Sequence, residues 1–321
     1  MANSAGVEVF FVVDGPRLEA QACLLVPTLR AHLDARSQRA VAYVRSDYID
    51  KIDPLTAEVL ERSGISLREI PHTHLGHLPW SAPYPQGNKL LAAADERDCE
   101  VSVFMDTDMV LARPVNFARE LGRAQIAASV SDYASPGTDA DSWRSHYALF
   151  GLDLPEQRVR LRGGRRLTTL PYFNAGLVIF READANGDPT GIGRSWLEAA
   201  LLLEKAGDAV ADRTFIDQLA LPILGYKIEA PVKKLAQRMN FNIQAFGAAP
   251  ASAADIVHYH NIGVLWQHAD HARNALAELH ALIGPDGIER FAQTFFPHIK
   301  RKRMKQYLPE FATPLPRREA A

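Results

Sequence analysis

Two carboxylates stand two residues apart in Phe104-Met105-Asp106-Thr107-Asp108-Met109-Val110, directly after the short apolar run Val101–Met105. Leaving a buried strand together, Asp106 and Asp108 can point at one hard divalent cation, which wants several oxygen ligands and keeps positions open for substrate phosphates. The same pattern can be a solvated turn or a helix cap, since Asp is common in both. Asn174-Ala175-Gly176 puts a directed amide beside two small residues, so a ligand can approach the backbone there, unless the segment only turns the chain. Asp217-Gln218 offers a carboxylate and an amide at a helix start, suited to a polar ligand or to the helix dipole. In Ile256-Val257-His258-Tyr259-His260, strand periodicity puts two imidazoles on one face, where each can ligate a metal or simply be hydrogen-bonded.

These residues need a frame. Val7–Val13 reads as a buried strand ending at the turn Asp14-Gly15-Pro16. Leu18–Leu33 and Pro54–Arg62 carry helical spacing, Ala40–Val44 and Ile65–Ile70 strand spacing. The βαβαβ alternation predicts a parallel sheet with helices on its faces and ligands at the carboxyl ends of its strands. Further strands are expected at Val101–Met105, Ala124–Ser129, Tyr172–Phe180 and Asp255–Tyr259. Helices are expected at Gln86–Glu96, Ile192–Lys205, Arg213–Leu221, Ala269–Leu282 and Ile288–Phe296, with His72–Pro85 as a loop and Ser131–Ser145 as a polar stretch. Arg158–Arg166 alternates like a hairpin about Gly163-Gly164, as a solvated hairpin or as an anionic-acceptor site.

In this order the segments resemble the retaining GT-A glycosyltransferases that include glycogenin and bacterial lipopolysaccharide galactosyltransferases. The resemblance spans roughly residues 7–266. It implies an α/β fold of GT-A type, a Rossmann-like mixed central sheet flanked by helices, with residues 1–268 as catalytic domain and 269–321 as a helical extension with a basic tail. It implies a manganese or magnesium ion held by Asp106, Asp108 and His258. It implies a nucleotide diphosphate-sugar donor, a UDP-sugar above all, contacted by Asp14, Lys89, Thr107, Ala175 and Gly176. Asn174, Asp217 and Gln218 would face the reacting sugar, and the product would keep the donor's anomeric configuration. One departure stands out. The family carries a phosphate-binding Lys-Pro before Trp266, and this chain has Val264-Leu265, with Asn261 in place of a Gly. Lys89, His260 or His268 are the expected substitutes for that charge, unless the metal alone stabilises the leaving group. Two alternatives remain: a haloacid-dehalogenase-type phosphatase, which uses a similar Asp-X-Asp-X-Val string but carries it near its N-terminus, and a non-catalytic nucleotide-sugar-binding protein.

Composition narrows the classes. The 321 residues need neither disulfide nor structural metal to close a core. A net charge of −2 argues against nucleic acid as a partner. Cys23 and Cys99 are too few for a disulfide framework or a cysteine zinc site and read as reduced core residues. No apolar run is long enough for a signal peptide or a spanning helix, so the expected compartment is the cytoplasm. Lys300–Lys305 holds five basic residues in six, near Phe291, Phe295, Phe296 and Tyr307. That is the composition of a solvated tail or of a peripheral contact with the inner face of a membrane. The acceptor, whether glycan, lipid-linked glycan or small molecule, is not encoded in these motifs, and its site is expected in the loops His72–Pro85 and Asp132–Leu170.

Overall fold

The computed structural model describes residues 5–163, 167–207, 212–246 and 253–312. In chain order the first half comprises β1 (Ala5–Val12), α1 (Pro16–His32), β2 (Gln38–Val44), α2 (Pro54–Arg62), β3 (Ser66–Glu69), α3 (Asn88–Ala93), β4 (Cys99–Met105), β5 (Met109–Leu111), α4 (Phe117–Leu121), β6 (Ile126–Val130) and α5 (Asp141–Ala148). There follow β7 (Val159–Arg160), β8 (Thr168–Thr169), β9 (Phe173–Arg181), α6 (Ile192–Ala206), α7 (Ile216–Lys227), β10 (Lys233–Lys234), β11 (Phe241–Asn242), α8 (Ile243–Phe246), β12 (Ile256–His258), α9 (Ile262–Leu265), α10 (Ala269–Thr294) and α11 (Arg301–Met304).

Seven strands form the central sheet in the order β10-β6-β9-β4-β1-β2-β3. β3, β2, β1 and β4 run parallel, as βαβ connections require, and β9 is antiparallel to both β4 and β6. The fold is therefore the mixed α/β arrangement expected. One apolar layer lies between the sheet and α1, α2 and α10, with Val9, Leu25, Leu276 and Leu279 in it. The other lies under α3, α6 and α7 and includes Phe10, Phe104, Trp196 and Leu224. Residues 269–294 thus close the same core as β1. Gly284 has φ 74 and breaks this stretch where two separate helices are expected from the sequence.

Several local expectations shift. Asp141–Ala148, which begins within the expected polar stretch and runs past its end, is helical, and its Trp143 is buried. The hairpin pairs Val159 with Thr169 and Arg160 with Thr168, and part of its expected span, residues 164–166, lies outside the described residues. Cys23 and Cys99 are both buried free thiols. No helix among the described residues is long and apolar enough to cross a membrane. Of the four aromatics near the basic run, Phe291, Phe295 and Tyr307 are buried and Phe296 is exposed.

The element that organises the site is a second, three-stranded sheet, β11-β12-β5. β5 begins one residue after Asp108, and its Met109 pairs with His258 on antiparallel β12. Tyr259 N–H donates to the Asp108 carbonyl at 3.0 Å, extending that ladder to the carboxylate itself. Two motifs far apart in sequence thus become neighbours through backbone pairing.

Candidate active site

Asp106 and Asp108 lie at the carboxyl end of β4, as the strand pattern requires. The turn between them is clamped on both sides. Thr107 Oγ1 donates to Gln21 Oε1 on α1 at 2.9 Å, and Tyr259 Oη donates to the Thr107 carbonyl at 3.4 Å. On the neighbouring strand, β6 and β9 shift register between Ala128 and Ser129, so that Ser129 pairs with Asn174. Residues 175–177 form a bulge there, which re-aims a strand locally and is common beside active sites. Gly176 has to be glycine: a methyl group would come within 2.8 Å of Asp106 Oδ2 and of His258 Cε1, and within 2.9 Å of Asn174 Oδ1. The Gly176 carbonyl in turn accepts from Asp106 N–H at 2.7 Å.

The two aspartates have unlike surroundings. Asp106 Oδ1 lies 3.2 Å from Lys89 Nζ, which lies 3.0 Å from Asp217 Oδ2. Burial works against the Lys89 charge, but the two carboxylates outweigh it and hold the ammonium above its usual range. Burial pushes the Asp106 carboxyl up, although Lys89 pulls it down. Asp108 Oδ1 is buried, accepts no hydrogen bond and faces His258 Nε2 at 3.1 Å.

A chain of amides fixes what faces that gap. Gly176 N–H donates to Asn174 Oδ1 at 2.9 Å, which fixes the oxygen of that side chain. Asn240 Nδ2 donates to the same oxygen at 2.9 Å, so Asn240 presents its own Oδ1 to His258 Nδ1 at 3.0 Å. His258 must then carry its proton on Nδ1, leaving Nε2 as a bare lone pair opposite the Asp108 carboxylate. Only a positive charge satisfies both. A second proton on the ring, outweighing the effect of burial, would hold Asp108 at about 2; a metal ion would take the proton's place. The donor set therefore fits a divalent ion. The ligand atoms of Asp108, His258 and His260 all lie within 4.8 Å of one another. Asp106, expected from sequence among the ligands, stands beside this cluster and is engaged by Lys89. The strand ends at His258, and His260 follows at φ 52 rather than in extended backbone. Burial and the neighbouring His258 push His260 down to about 4, so that its ring is neutral at pH 7.

Two cavities meet at this cluster. The larger, about 600 Å³, is lined by Asn174, Ala175, Gly176, Asp217 and Gln218, with Asp132, Tyr133 and Asn242 opposite. The smaller, about 360 Å³, is lined by Arg17, Gln21, Gln86, Phe104 and Thr107. Lys89, Asp106, Asp108 and His260 border both. Asp14 borders neither among the described residues. It accepts a 2.7 Å hydrogen bond from Asn88 Nδ2, and burial raises its carboxyl. Asp217 is fixed through its backbone, whose carbonyl accepts from Trp196 Nε1 at 2.9 Å.

Residues 9–228 match the Rhodobacterales glycosyltransferase domain. The chain belongs to this glycosyltransferase family. No curated protein matches. Among solved structures, the transferase resembles the galactosyltransferase LgtC, determined in complex with donor and acceptor sugar analogues. The identity is 16% and the TM-score 0.52, over 90% of this chain and 95% of that one. An active-site mutant of LgtC aligns at 15% identity and TM-score 0.53, over 84% and 95%. The bifunctional glycosyltransferase WbbM aligns at 13% and TM-score 0.51 over 86% of this chain, which spans only 50% of WbbM. At such identities the likeness establishes the GT-A glycosyltransferase fold.

Three residues of this transferase's site escape the sequence motifs. Asn240 lies in a short 3-10 turn with no local mark of function. Asp132 accepts a 2.6 Å hydrogen bond from Asn242 Nδ2; it opens a loop expected to shape the acceptor site but belongs to no motif of its own. Arg17 follows the Asp14-Gly15-Pro16 turn; the turn is legible, the guanidinium's place on the smaller cavity is not.

Proposed function

We propose that this glycosyltransferase moves a sugar from a nucleoside diphosphate, a UDP-sugar above all, to a hydroxyl-bearing acceptor. The observation that carries the metal dependence is the buried, unpartnered Asp108 Oδ1 facing a bare His258 Nε2 where the two cavities join. A divalent ion held there by Asp108 and His258, with Asp106 adjacent, supplies Lewis-acid stabilisation of the diphosphate leaving group.

The chain's own residues divide the remaining work. The smaller cavity suits the nucleotide and the larger one the sugar and acceptor, since the cluster lies between them. Asn174, Asp217 and Gln218 line the sugar side. Gln218 makes no hydrogen bond to a described residue, so its amide is available to a substrate. For the absent phosphate lysine, Arg17 is better placed than the substitutes expected, of which His268 borders neither cavity. Lys89 is held by two carboxylates and His260 is neutral. Arg17 is exposed, borders the smaller cavity and forms no ion pair among the described residues. Its planar fork matches phosphate oxygens. Retention of configuration rests on the family pattern of Asp217-Gln218 and is read by proton NMR of the first product.

Asp108→Asn tests the centre. With the melting temperature of metal-free protein unchanged, release of UDP from donor sugars should fall by about a hundred- to a thousandfold, the usual loss when such electrostatic stabilisation is removed. A fully active variant in the presence of chelator would overturn the reading. Metal-dependent UDP binding by wild type without turnover of any donor would instead indicate a binding protein, and phosphate release from simple phosphomonoesters a phosphatase.

A further inference from the structure

We propose that His260 is a further ligand of the metal, giving the centre two imidazoles and a preference for first-row transition ions over magnesium. The inference rests on the reading above in placing an ion at Asp108 and His258.

Geometry is the first support. Bonds of about 2.1 Å set ligand atoms on one ion roughly 3–4.2 Å apart. The three ligand atoms already lie within 4.8 Å of one another, so a slight closure brings all three onto one ion. The His258 and His260 rings are 3.7 Å apart between centroids, at 44°.

The backbone gives an independent reason. His260 has φ 52, a conformation uncommon for residues other than glycine. Both its neighbours are anchored. Tyr259 is buried, and its N–H is bonded to the Asp108 carbonyl. Asn261 Oδ1 caps α9 by accepting from Gly263 N–H at 2.8 Å. The residue between them is thereby held at the cluster, although its side chain is exposed there, and a residue in sparsely populated backbone geometry is a common feature of functional sites. Its ring makes no hydrogen bond to a described residue, and it borders both cavities.

Chemistry selects the ion. Imidazole nitrogen suits iron, nickel, copper and zinc, and manganese, at the weak end of that series, still accepts it more readily than magnesium, which favours oxygen and retains its water. One carboxylate with two imidazoles is a nitrogen-rich set that magnesium fills poorly.

The test uses full-length, metal-free protein titrated with Mn2+, alone and with UDP, with bound ion followed by electron paramagnetic resonance. Pulsed measurements on the bound manganese should show two imidazole nitrogens in wild type and one in His260→Ala. The Mn2+ affinity of His260→Ala should fall at least about tenfold, a loss that even outer partners of metal ligands can cause. Affinity for Mg2+, measured by competition, should change less than about threefold, which a merely unfolded variant would not show. One nitrogen in wild type, no bound manganese in either condition, or unchanged Mn2+ affinity in His260→Ala would each overturn the proposal. Failure of the transferase reading has a different signature: two nitrogens remain, but no donor is turned over.

Discussion

Two stretches of this chain gather ionisable groups, the cluster around Asp108 and the run Lys300–Lys305, and they treat charge in opposite ways. At the cluster, charged and polar groups go inside: Asp217 is 4% exposed and His258 2%, and one carboxylate oxygen is left without a hydrogen-bond partner. In the C-terminal run the apolar residues go inside instead. Ile299, Met304, Tyr307 and Phe311 are buried, while Lys302, Arg303 and Lys305 stay exposed. Arg303 Nη1 donates to the Gly263 carbonyl at 2.9 Å, and Arg301 Nη2 reaches Glu289 Oε1 at 3.4 Å. Burying charge is costly unless it is paired, so buried charge with an orphaned atom points to a ligand, whereas exposed charge costs the fold little.

The sharpest way to break this contrast is to delete Lys300–Ala321. If the run is only a solvated tail, stability should hardly change. The packing says otherwise: Met304 and Phe311 alone contribute roughly 1.5–3 kcal/mol each through burial. Tyr307 Oη and Gln306 Nε2 also both donate to the Trp266 carbonyl, at 2.9 and 3.1 Å. Urea unfolding should show a loss above about 5 kcal/mol once Tyr307 is counted, near the whole stability of many domains. A loss below about 1 kcal/mol would erase the distinction drawn here.

Next in size is Lys89→Met. It leaves buried Asp217 and half-buried Asp106 without their shared cation, and breaking such a group by removing one partner costs up to about 3–5 kcal/mol where the group is buried. Replacing both aspartates by Asn in the Lys89→Met background should recover part of that loss. If the triple variant is no more stable than Lys89→Met alone, uncompensated charge is not the cause.

What the sequence exposes and what it hides follows the range of the interactions. β1, α1, β2, α2 and β4 are legible because their apolar periodicity is local. Asp106, Asp108, Asn174, Asp217, Gln218 and His258 are legible as motifs, and all six line the larger cavity. β5 is not legible. Met109–Leu111 is too short to show a period, and it is a strand only because β12 pairs with it. The unequal roles of Asp106 and Asp108 are hidden for the same reason, since their partners Lys89 and His258 come from opposite directions in the chain. Asn240 is hidden altogether: its importance is a donor–acceptor sense that it passes from Asn174 to His258.

The smallest expected effect is the most discriminating for the basic run. Lys302 and Lys305 are exposed, and their side chains form no hydrogen bond or ion pair among the described residues. Replacing both by Gln removes two positive charges and leaves Met304 and Tyr307 in place. Surface changes of this kind usually stay within about 0.5 kcal/mol, so unfolding should be indistinguishable from wild type. UDP release should also be unchanged, because neither residue borders either cavity. A destabilisation above about 1 kcal/mol would mean that the charges themselves hold the segment. A selective loss of UDP affinity would mean that the segment reaches the nucleotide, and Arg17 would then not be the cation that replaces the missing lysine. If both measurements stay silent while the deletion unfolds the protein, the run owes its place in the fold to its apolar residues, and its lysines are left free for contacts outside this chain.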